Sequence, residues 1–413
     1  MSRKVLKEKK IRETCHGKSF KELLLQKNMA RRLSSYFYIV HINNLKEVLE
    51  RGIFSHNKVF ELGIKPEMIS NPEVMNLRKQ RIIDGEKTLW DYANVYFEAR
   101  NPMLWTIIKK YGIENIVVLG IKPSIHNLKG VKVSDGNASR LSETEVVSKE
   151  KLREVFISIK KELNLEYWKE LDDSKRKIMA ECLVPDNIPP EYIDSIFVAN
   201  QSMAEKVISI LGSKRYTIIA QPYHFFQGKV RTTIDNVSVI QGDMFFSQVQ
   251  TLTISVNTVG VMGKGLASRT KYQFPDVFDY YKVACNDGSL KMGIPVLYKR
   301  TKSVNELLSD YLEDDDEPTW FLLFPTKTHF MYDSDPKGIE QGLIWIKDNY
   351  EKLGITSLAL PALGCGLGNL SWSVIGPMMV KYLKGLKIKV SIYLPTEKNI
   401  CEEWLTEKFL LSL

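Results

Sequence analysis

Apolar and polar positions divide this chain into two stretches of different rhythm. From about residue 236 the apolar runs "VSVIQGD", "LTISVNT", "WFLLFPTK", "SLALPALG" and "VSIYLP" alternate with segments of helical length, "IEQGLIWIKDNYEKLG" and "WSVIGPMMVKYLKGL". Continuous apolar strands alternating with helices predict a largely parallel sheet covered on both faces. The earlier stretch is more mixed. "YFYIVHINNLKEVLERGIFS" reads as a strand, a short helix with Leu45, Val48 and Leu49 at helical spacing, and a stop at Gly52. Further strands are predicted at "ANVYF", "ENIVVLGI", "KIMAECLV" and "RYTIIAQPYHFF", with a polar, helical region around residues 148 to 173. The segment "GKVRTTID", residues 228 to 235, reads as the linker between the two stretches.

Length agrees with that division, because 413 residues exceed the size at which one core keeps growing. No segment is apolar for the roughly 18 residues that a membrane-spanning helix requires, and "MSRKVLKEKKIRE" lacks the apolar core of a secretory signal, so a cytoplasmic protein without membrane attachment is expected. The five cysteines (Cys15, Cys182, Cys285, Cys365, Cys401) are scattered and not in CxxC spacing, which argues against a disulfide framework and a zinc site. No metal is expected. Residues 1 to 34 carry 11 Lys/Arg and 3 Asp/Glu, a net of +8 out of the chain's +9. Such a basic arm either attracts nucleic acid by counterion release or is a solvated tail.

Ligands of open α/β sheets gather at the carboxyl ends of the strands. In the second stretch that is where Asp243, Asn257 and Lys327 fall, together with two glycine-rich loops, "NTVGVMGKGLA" and "LGCGLGNLSW". Glycine lets backbone N–H groups approach an anion closely, so two such loops suit a diphosphate; either loop alone reads equally as glycines that merely permit tight turns. A P-loop is excluded because Gly263-Lys264 is followed by Gly265, not by a magnesium-binding hydroxyl. A Rossmann site lacks its acid, since Lys387, Ile388 and Lys389 occupy the place some 20 residues on.

"GDMF", "VNTVGVMGKGLA", "FPTKTH" and "LPALGCGLGNLSW" resemble, in order and spacing, a macrodomain of the DarG type, the antitoxin that removes ADP-ribose from DNA. The resemblance covers about residues 236 to 400. It implies that Asp243 hydrogen-bonds the adenine amino group and Asn257 contacts the distal ribose. It also implies that the segments Gly260 to Gly265 and Gly364 to Gly368, with Gly263, Gly265, Gly364, Gly366, Leu367 and Gly368, hold the diphosphate and ribose. Lys327 matches the lysine of hydrolytic members, where an ammonium beside a bound anion donates a proton or, once deprotonated, attacks the anomeric carbon.

In the first stretch, alternation in "KIMAECLV" sets Met179, Glu181 and Leu183 on one face, with the Glu181 carboxylate between apolar neighbours. Burying an unpaired carboxylate costs several kcal/mol, which points to a role or a partner, while an edge strand with a wet face is the reading this stretch by itself leaves open. "VHINNLKEVLERGIFS", "WDYANVYFEARNPMLW", "SDGNAS" and "AECLVPDNIPP" together resemble the DarT family, transferases that use NAD to ADP-ribosylate single-stranded DNA. That resemblance covers about residues 35 to 226. It implies that Glu181 is the catalytic glutamate, that His41, Asn43, Leu45 and Tyr96 contact NAD, and that Arg78 or, one turn on, Arg81 is the active-site arginine. The run Tyr96 to Met103 is expected to help form the NAD pocket. Tyr92, Tyr96 and Trp105 either stack on NAD or a splayed base, or belong to the core. DarT proteins usually open with His-x-Thr-His, whereas Tyr38-Ile39-Val40-His41 keeps only the second histidine.

The combined expectation is an α+β ADP-ribosyltransferase fold over residues 35–227, after a basic arm over 1–34, followed through the 228–235 linker by a three-layer α/β macrodomain over 236–413. The implied function is a toxin–antitoxin fusion: NAD and a base of single-stranded DNA, thymidine favoured over guanosine, give an ADP-ribosylated base and nicotinamide, and the second part hydrolyses the adduct. DarG proteins usually carry a further C-terminal domain, and this sequence ends soon after the macrodomain-like part, so control is expected to rest on hydrolysis by a tethered eraser. Two alternatives stay open from sequence: an ADP-ribose reader on an inactive transferase-like scaffold, and a writer and eraser acting on RNA or protein.

Overall fold

The computed structural model describes residues 35–140, 143–165, 167–169, 173–212, 215–309, 316–395 and 398–412. The basic arm and most of the acidic stretch near residue 315 lie outside these.

The first half is built on an eight-stranded sheet whose strands are β1 (Tyr36–His41), β2 (Tyr92–Tyr96), β3 (Ile116–Ile121), β4 (Lys132–Ser134), β5 (Val146–Ser148), β6 (Glu181–Pro185), β7 (Ile193–Val198) and β8 (Thr217–Ala220). They lie in the order β8-β7-β3-β1-β2-β6-β4-β5, antiparallel throughout except for β7 and β8. β1 and β2 are in register at one pair alone, Phe37 with Tyr96, so the sheet opens between them. Helices α1 (Leu45–Arg51), α2 (Pro72–Gln80) and α3 (Pro102–Tyr111) connect the strands. Asn71 caps α2 and Asn101 caps α3, each with a proline at the helix start, where its missing N–H is not needed.

The second sheet comprises β9 (Lys229–Ile234), β10 (Val237–Gln241), β11 (Thr251–Asn257), β12 (Val296–Tyr298), β13 (Trp320–Lys327), β14 (Ser357–Pro361) and β15 (Lys389–Tyr393), in the order β9-β10-β15-β14-β11-β13-β12. Its five inner strands are parallel. Along β13 the side chains alternate between two cores: Phe321 and Leu323 meet α4 (Gly265–Gln273) and α5 (Pro275–Asn286), whereas Leu322 and Phe324 meet α6 (Pro336–Leu353) and α7 (Trp372–Leu383). This is the three-layer α/β arrangement that the apolar runs predict. No described helix is long and apolar enough to cross a membrane.

The expected linker over 228–235 is corrected by the structure. Residues 229–234 form edge strand β9, antiparallel to β10. The turn is Asp235-Asn236: Asp235 takes a left-handed backbone (φ 50°), which Asp tolerates better than most residues, and Asn236 Nδ2 donates to the carbonyls of Leu383 and Ile388. The polar segment is therefore a hairpin arm of the second sheet.

One hydrophobic core runs through both halves. Trp105 and Trp168 of the first half and Phe226 just after its last strand interlock with Phe246 of the second, with ring centroids 4.6 to 5.9 Å apart. Both indoles are satisfied across the seam: Trp105 Nε1 donates to Asn305 Oδ1 (3.0 Å) and Trp168 Nε1 to the Leu307 carbonyl (3.1 Å). Trp105→Ala is therefore expected to destabilise the chain by about 3–5 kcal/mol, the range for emptying a packed aromatic site. Denaturant unfolding measures this, and a loss below about 1 kcal/mol would show the seam to be loosely packed.

Candidate active sites

Glu181 opens β6, an inner strand of the first sheet, and is 1% exposed. Such a carboxylate needs donors, and it has three contacts: the Ala138 N–H to Oε1 (2.9 Å) and Arg78 Nη1 to both oxygens (3.3 and 3.0 Å). Its own N–H donates to Ser134 Oγ, which in turn donates to the Gly136 carbonyl, so the "SDGNAS" loop is fastened to the strand that it serves. Arg78, on the last turn of α2, is also buried, and its Nε and Nη2 have no partner among the described residues. Arg81 is engaged elsewhere, donating to the carbonyls of Ala138, Arg140 (3.1 Å) and Thr144 (2.5 Å). Of the two arginines, Arg78 meets the glutamate and Arg81 shapes the loop over it.

Tyr96 is in register with Glu181 across β2 and β6. His41 lies four residues along β1 from the Phe37–Tyr96 pair, about 13 Å at strand rise. The opening between β1 and β2 thus suits an elongated ligand and no direct His41–Glu181 contact. His41 Nδ1 accepts the Asn43 N–H (3.3 Å), leaving Nε2 as the ring's other hydrogen-bonding atom, and Asn43 itself is exposed. Leu45 presents no side chain to a ligand: it is fully buried in the core, and its N–H donates to the Ile42 carbonyl. Tyr92 and Trp105 are core residues as well, which removes the stacking role considered for them.

In the second half, Asp243 caps the turn after β10, accepting the Phe245 N–H (3.0 Å) and a bidentate contact from Arg269 Nη1 (2.8 Å to each oxygen). Asn257 ends β11. Its Oδ1 accepts the Val259 N–H (3.0 Å) and the Tyr281 hydroxyl (2.8 Å), and its Nδ2 donates to the Val261 carbonyl (2.6 Å). The amide therefore folds the first glycine loop. Within that loop Gly260 and Gly265 have φ of 76° and 60°, Gly263 is exposed, and Gly265 starts α4, whose free N–H groups favour an anion. The second loop packs so closely that a Cβ at Gly368 would lie 2.2 Å from Ser334 Oγ. One at Gly364, where φ is 73°, would lie 2.9 Å from Ser334 Cβ. Gly366 and the exposed Leu367 form its tip, and Leu367 lies opposite Gly265.

Lys327 ends β13 beside Asn257 and donates from Nζ to the Leu367 carbonyl (3.4 Å), an ammonium between the two glycine loops. The segment after it is fastened to both: Thr258 donates to the Thr328 carbonyl, and Ser334 N–H to the Gly368 carbonyl. Phe330, Met331 and Tyr332 project from this segment into solvent. Among the described residues no group of three or more His, Cys, Asp or Glu side chains is placed to hold a metal ion.

Residues 37–227 match the family model "ssDNA thymidine ADP-ribosyltransferase, DarT". Across 393 residues the chain is 45% identical to a "DNA ADP-ribosyl transferase-DNA ADP-ribosyl glycohydrolase fusion protein" of Thermosipho africanus, covering 93% of this chain and all of that one. The chain belongs to this DarTG fusion family. The structure described as "Thermosipho africanus DarTG in complex with ADP-ribose" superimposes with a TM-score of 0.84 at 44% identity, over 92% of this chain and all of that one. A "DNA ADP-ribosyl glycohydrolase" of Thermus aquaticus is 33% identical over 159 residues, 38% of this chain and 41% of that protein. DarTG membership establishes the two folds expected from sequence, transferase first and macrodomain second.

Sequence reasoning singled out none of four side chains that surround these groups. Ser134 and Arg269 gain meaning only through distant partners, Glu181 and Asp243. The other two are His56 and Trp90, beside Arg78. Their rings stack at 4.6 Å, and the Lys79 ammonium lies 4.4 Å from the Trp90 ring centroid. Burial first, then the charges of Arg78 and Lys79, push the His56 imidazole down to about 4 from an ordinary 6.5. The folded state thus holds His56 neutral while the unfolded state protonates near 6.5, so this stability is fully present above 6.5 and is lost as pH falls towards 4. Denaturant titrations between pH 7 and 4 are expected to show a shallower loss for His56→Gln than for the wild type. Equal slopes would mean that His56 titrates freely in the fold.

Proposed function

We propose that this chain writes and erases a single DNA mark, transferring ADP-ribose from NAD to thymidine in single-stranded DNA and then hydrolysing the adduct. The observation that carries the writing half is the buried Glu181 carboxylate, held by the Ala138 N–H and by an arginine with two unpartnered nitrogens. In this reading NAD lies along the opening between β1 and β2, with His41 and Tyr96 along its length and Arg78 turning its free nitrogens to the diphosphate. As the bond from the anomeric carbon to nicotinamide breaks, nicotinamide leaves with the bonding pair and positive charge grows on the ribose. A fixed carboxylate in a dry site stabilises that charge without reorganising. The base then forms the new bond to the anomeric carbon and loses a proton.

For the erasing half, we propose that the two glycine loops cradle the diphosphate, that Asp243 accepts from the adenine amino group and that Lys327 acts at the anomeric carbon. The Lys327 ammonium protonates the departing nitrogen as its bond to the anomeric carbon breaks, the hydroxyl of a water ends on that carbon of ADP-ribose, and the water's proton restores the ammonium. The exposed Phe330 and Tyr332 next to Lys327 offer faces on which bases flanking the adduct stack, which favours a single strand over a protein target. NAD and DNA meet in the cytoplasm, where we place the protein.

Incubation with NAD and a thymidine-containing single-stranded oligonucleotide, followed by weighing of the products, tests this reading. Lys327→Ala is expected to accumulate the ADP-ribose adduct, and Glu181→Gln to form none while still clearing adduct made by the lysine variant. Mass gained by RNA or protein but by no oligonucleotide would overturn the DNA assignment. ADP-ribose retention without turnover would make the second half a reader.

A further inference from the structure

The adenine end of the erasing site is bordered by the writing half. Asp243, besides its bidentate contact from Arg269, has Arg100 Nη2 3.9 Å from its Oδ2. Arg100 belongs to the run Tyr96 to Met103, which starts beside Glu181 and was expected to line the NAD pocket. Its guanidinium crosses the seam, 5% exposed, with its carbon 4.7 to 4.8 Å from the ring centroids of Tyr223, Phe226 and Phe246 and its Nε without a partner among the described residues. A second arm of the first half reaches the same carboxylate through Arg269. The Tyr167 ring lies 3.8 Å from the Arg269 guanidinium carbon, the Arg269 Nε donates to Gln273 Oε1 (2.7 Å), and Gln273 Nε2 donates to the Trp168 carbonyl (3.0 Å). Asp243 is thus aimed by its own half through Arg269 and braced from the other half at two points.

We propose that Arg100 and Tyr167 are positioning residues for Asp243, so that the pocket reading the adenine base of ADP-ribose is a composite of both halves and loses its base specificity when the writer's side is removed. This rests on the assignment of Asp243 to the adenine amino group. A carboxylate oxygen can accept more than one hydrogen bond, so Asp243 Oδ2 keeps capacity for the ligand beside its Arg269 contact. Holding that oxygen still lets it distinguish an amino donor from a carbonyl acceptor at the same ring position. Loosened, it swings away from the mismatched acceptor and the discrimination fades.

The test is inhibition of adduct hydrolysis by two free products, ADP-ribose and its hypoxanthine analogue, which carries oxygen where adenine has its amino group. Purified ADP-ribosylated oligonucleotide and the full-length chain are used without NAD, so only the erasing site is read. The wild type is expected to prefer ADP-ribose by about tenfold, the equivalent of one net hydrogen bond. Arg100→Ala and, independently, Tyr167→Leu are expected to weaken ADP-ribose inhibition and leave the analogue within about twofold, bringing the ratio near one. Arg100→Lys, which keeps the charge, is expected to restore part of the ratio. A ratio unchanged in both variants, or both inhibitors weakened equally, overturns the proposal, the latter outcome marking Arg100 as seam packing alone. A wild type without preference shows that the Asp243 assignment itself fails, and the proposal with it.

Discussion

Phe226 carries a left-handed backbone, φ 58°, although its side chain is bulky and aromatic. That conformation costs on the order of 1–3 kcal/mol and persists only where its surroundings fix it. The surroundings here are Trp105, Trp168 and Phe246, with the Arg100 guanidinium over the rings. This packing joins a sheet that opens around Glu181 to a sheet whose strand ends present Lys327. Without it each half would bear a large apolar face, and the two chemistries would sit on a flexible tether.

The halves use charge in opposite ways. The writing site buries its carboxylate among fixed donors, the arrangement that stabilises positive charge growing on a ribose. In the erasing half an ammonium, Lys327, stands between two glycine loops and the start of a helix, groups that suit an anion. Between them lies one continuous segment, Tyr96 to Arg100, with the Glu181 register partner at one end and the neighbour of Asp243 at the other. This five-residue segment carries a contact of the writer at one end and a contact of the eraser at the other, which gives the fusion a structural consequence beyond raising local concentration.

Much of this was legible in the sequence. The five parallel strands showed as uninterrupted apolar runs because both of their faces are covered, and Asp243, Asn257 and Lys327 stood at the strand ends where ligands of such sheets collect. Glu181 stood out as a carboxylate among apolar neighbours. The hairpin arm at 229–234 was hidden because an edge strand is polar on its exposed side and its turn, Asp235-Asn236, contains no glycine. Choosing between Arg78 and Arg81 needed the third dimension, since one helical turn separates them and their partners, Glu181 and the carbonyls of the 138–144 loop, are far away in sequence. The seam left no local signal at all, because Trp105, Trp168, Phe226 and Phe246 are spread over some 140 residues and each reads as ordinary core.

In the proposed cycle one chain marks DNA and restores it at the expense of NAD. Counting nicotinamide released against oligonucleotide supplied measures this directly. With excess NAD, the wild-type chain should release nicotinamide and free ADP-ribose in equal amounts, well beyond one equivalent per target base, and return the oligonucleotide at its original mass. Lys327→Ala should stop near one equivalent with the adduct in place. Nicotinamide release by the wild type that ceases at one equivalent, or that proceeds equally well without DNA, would contradict the claim.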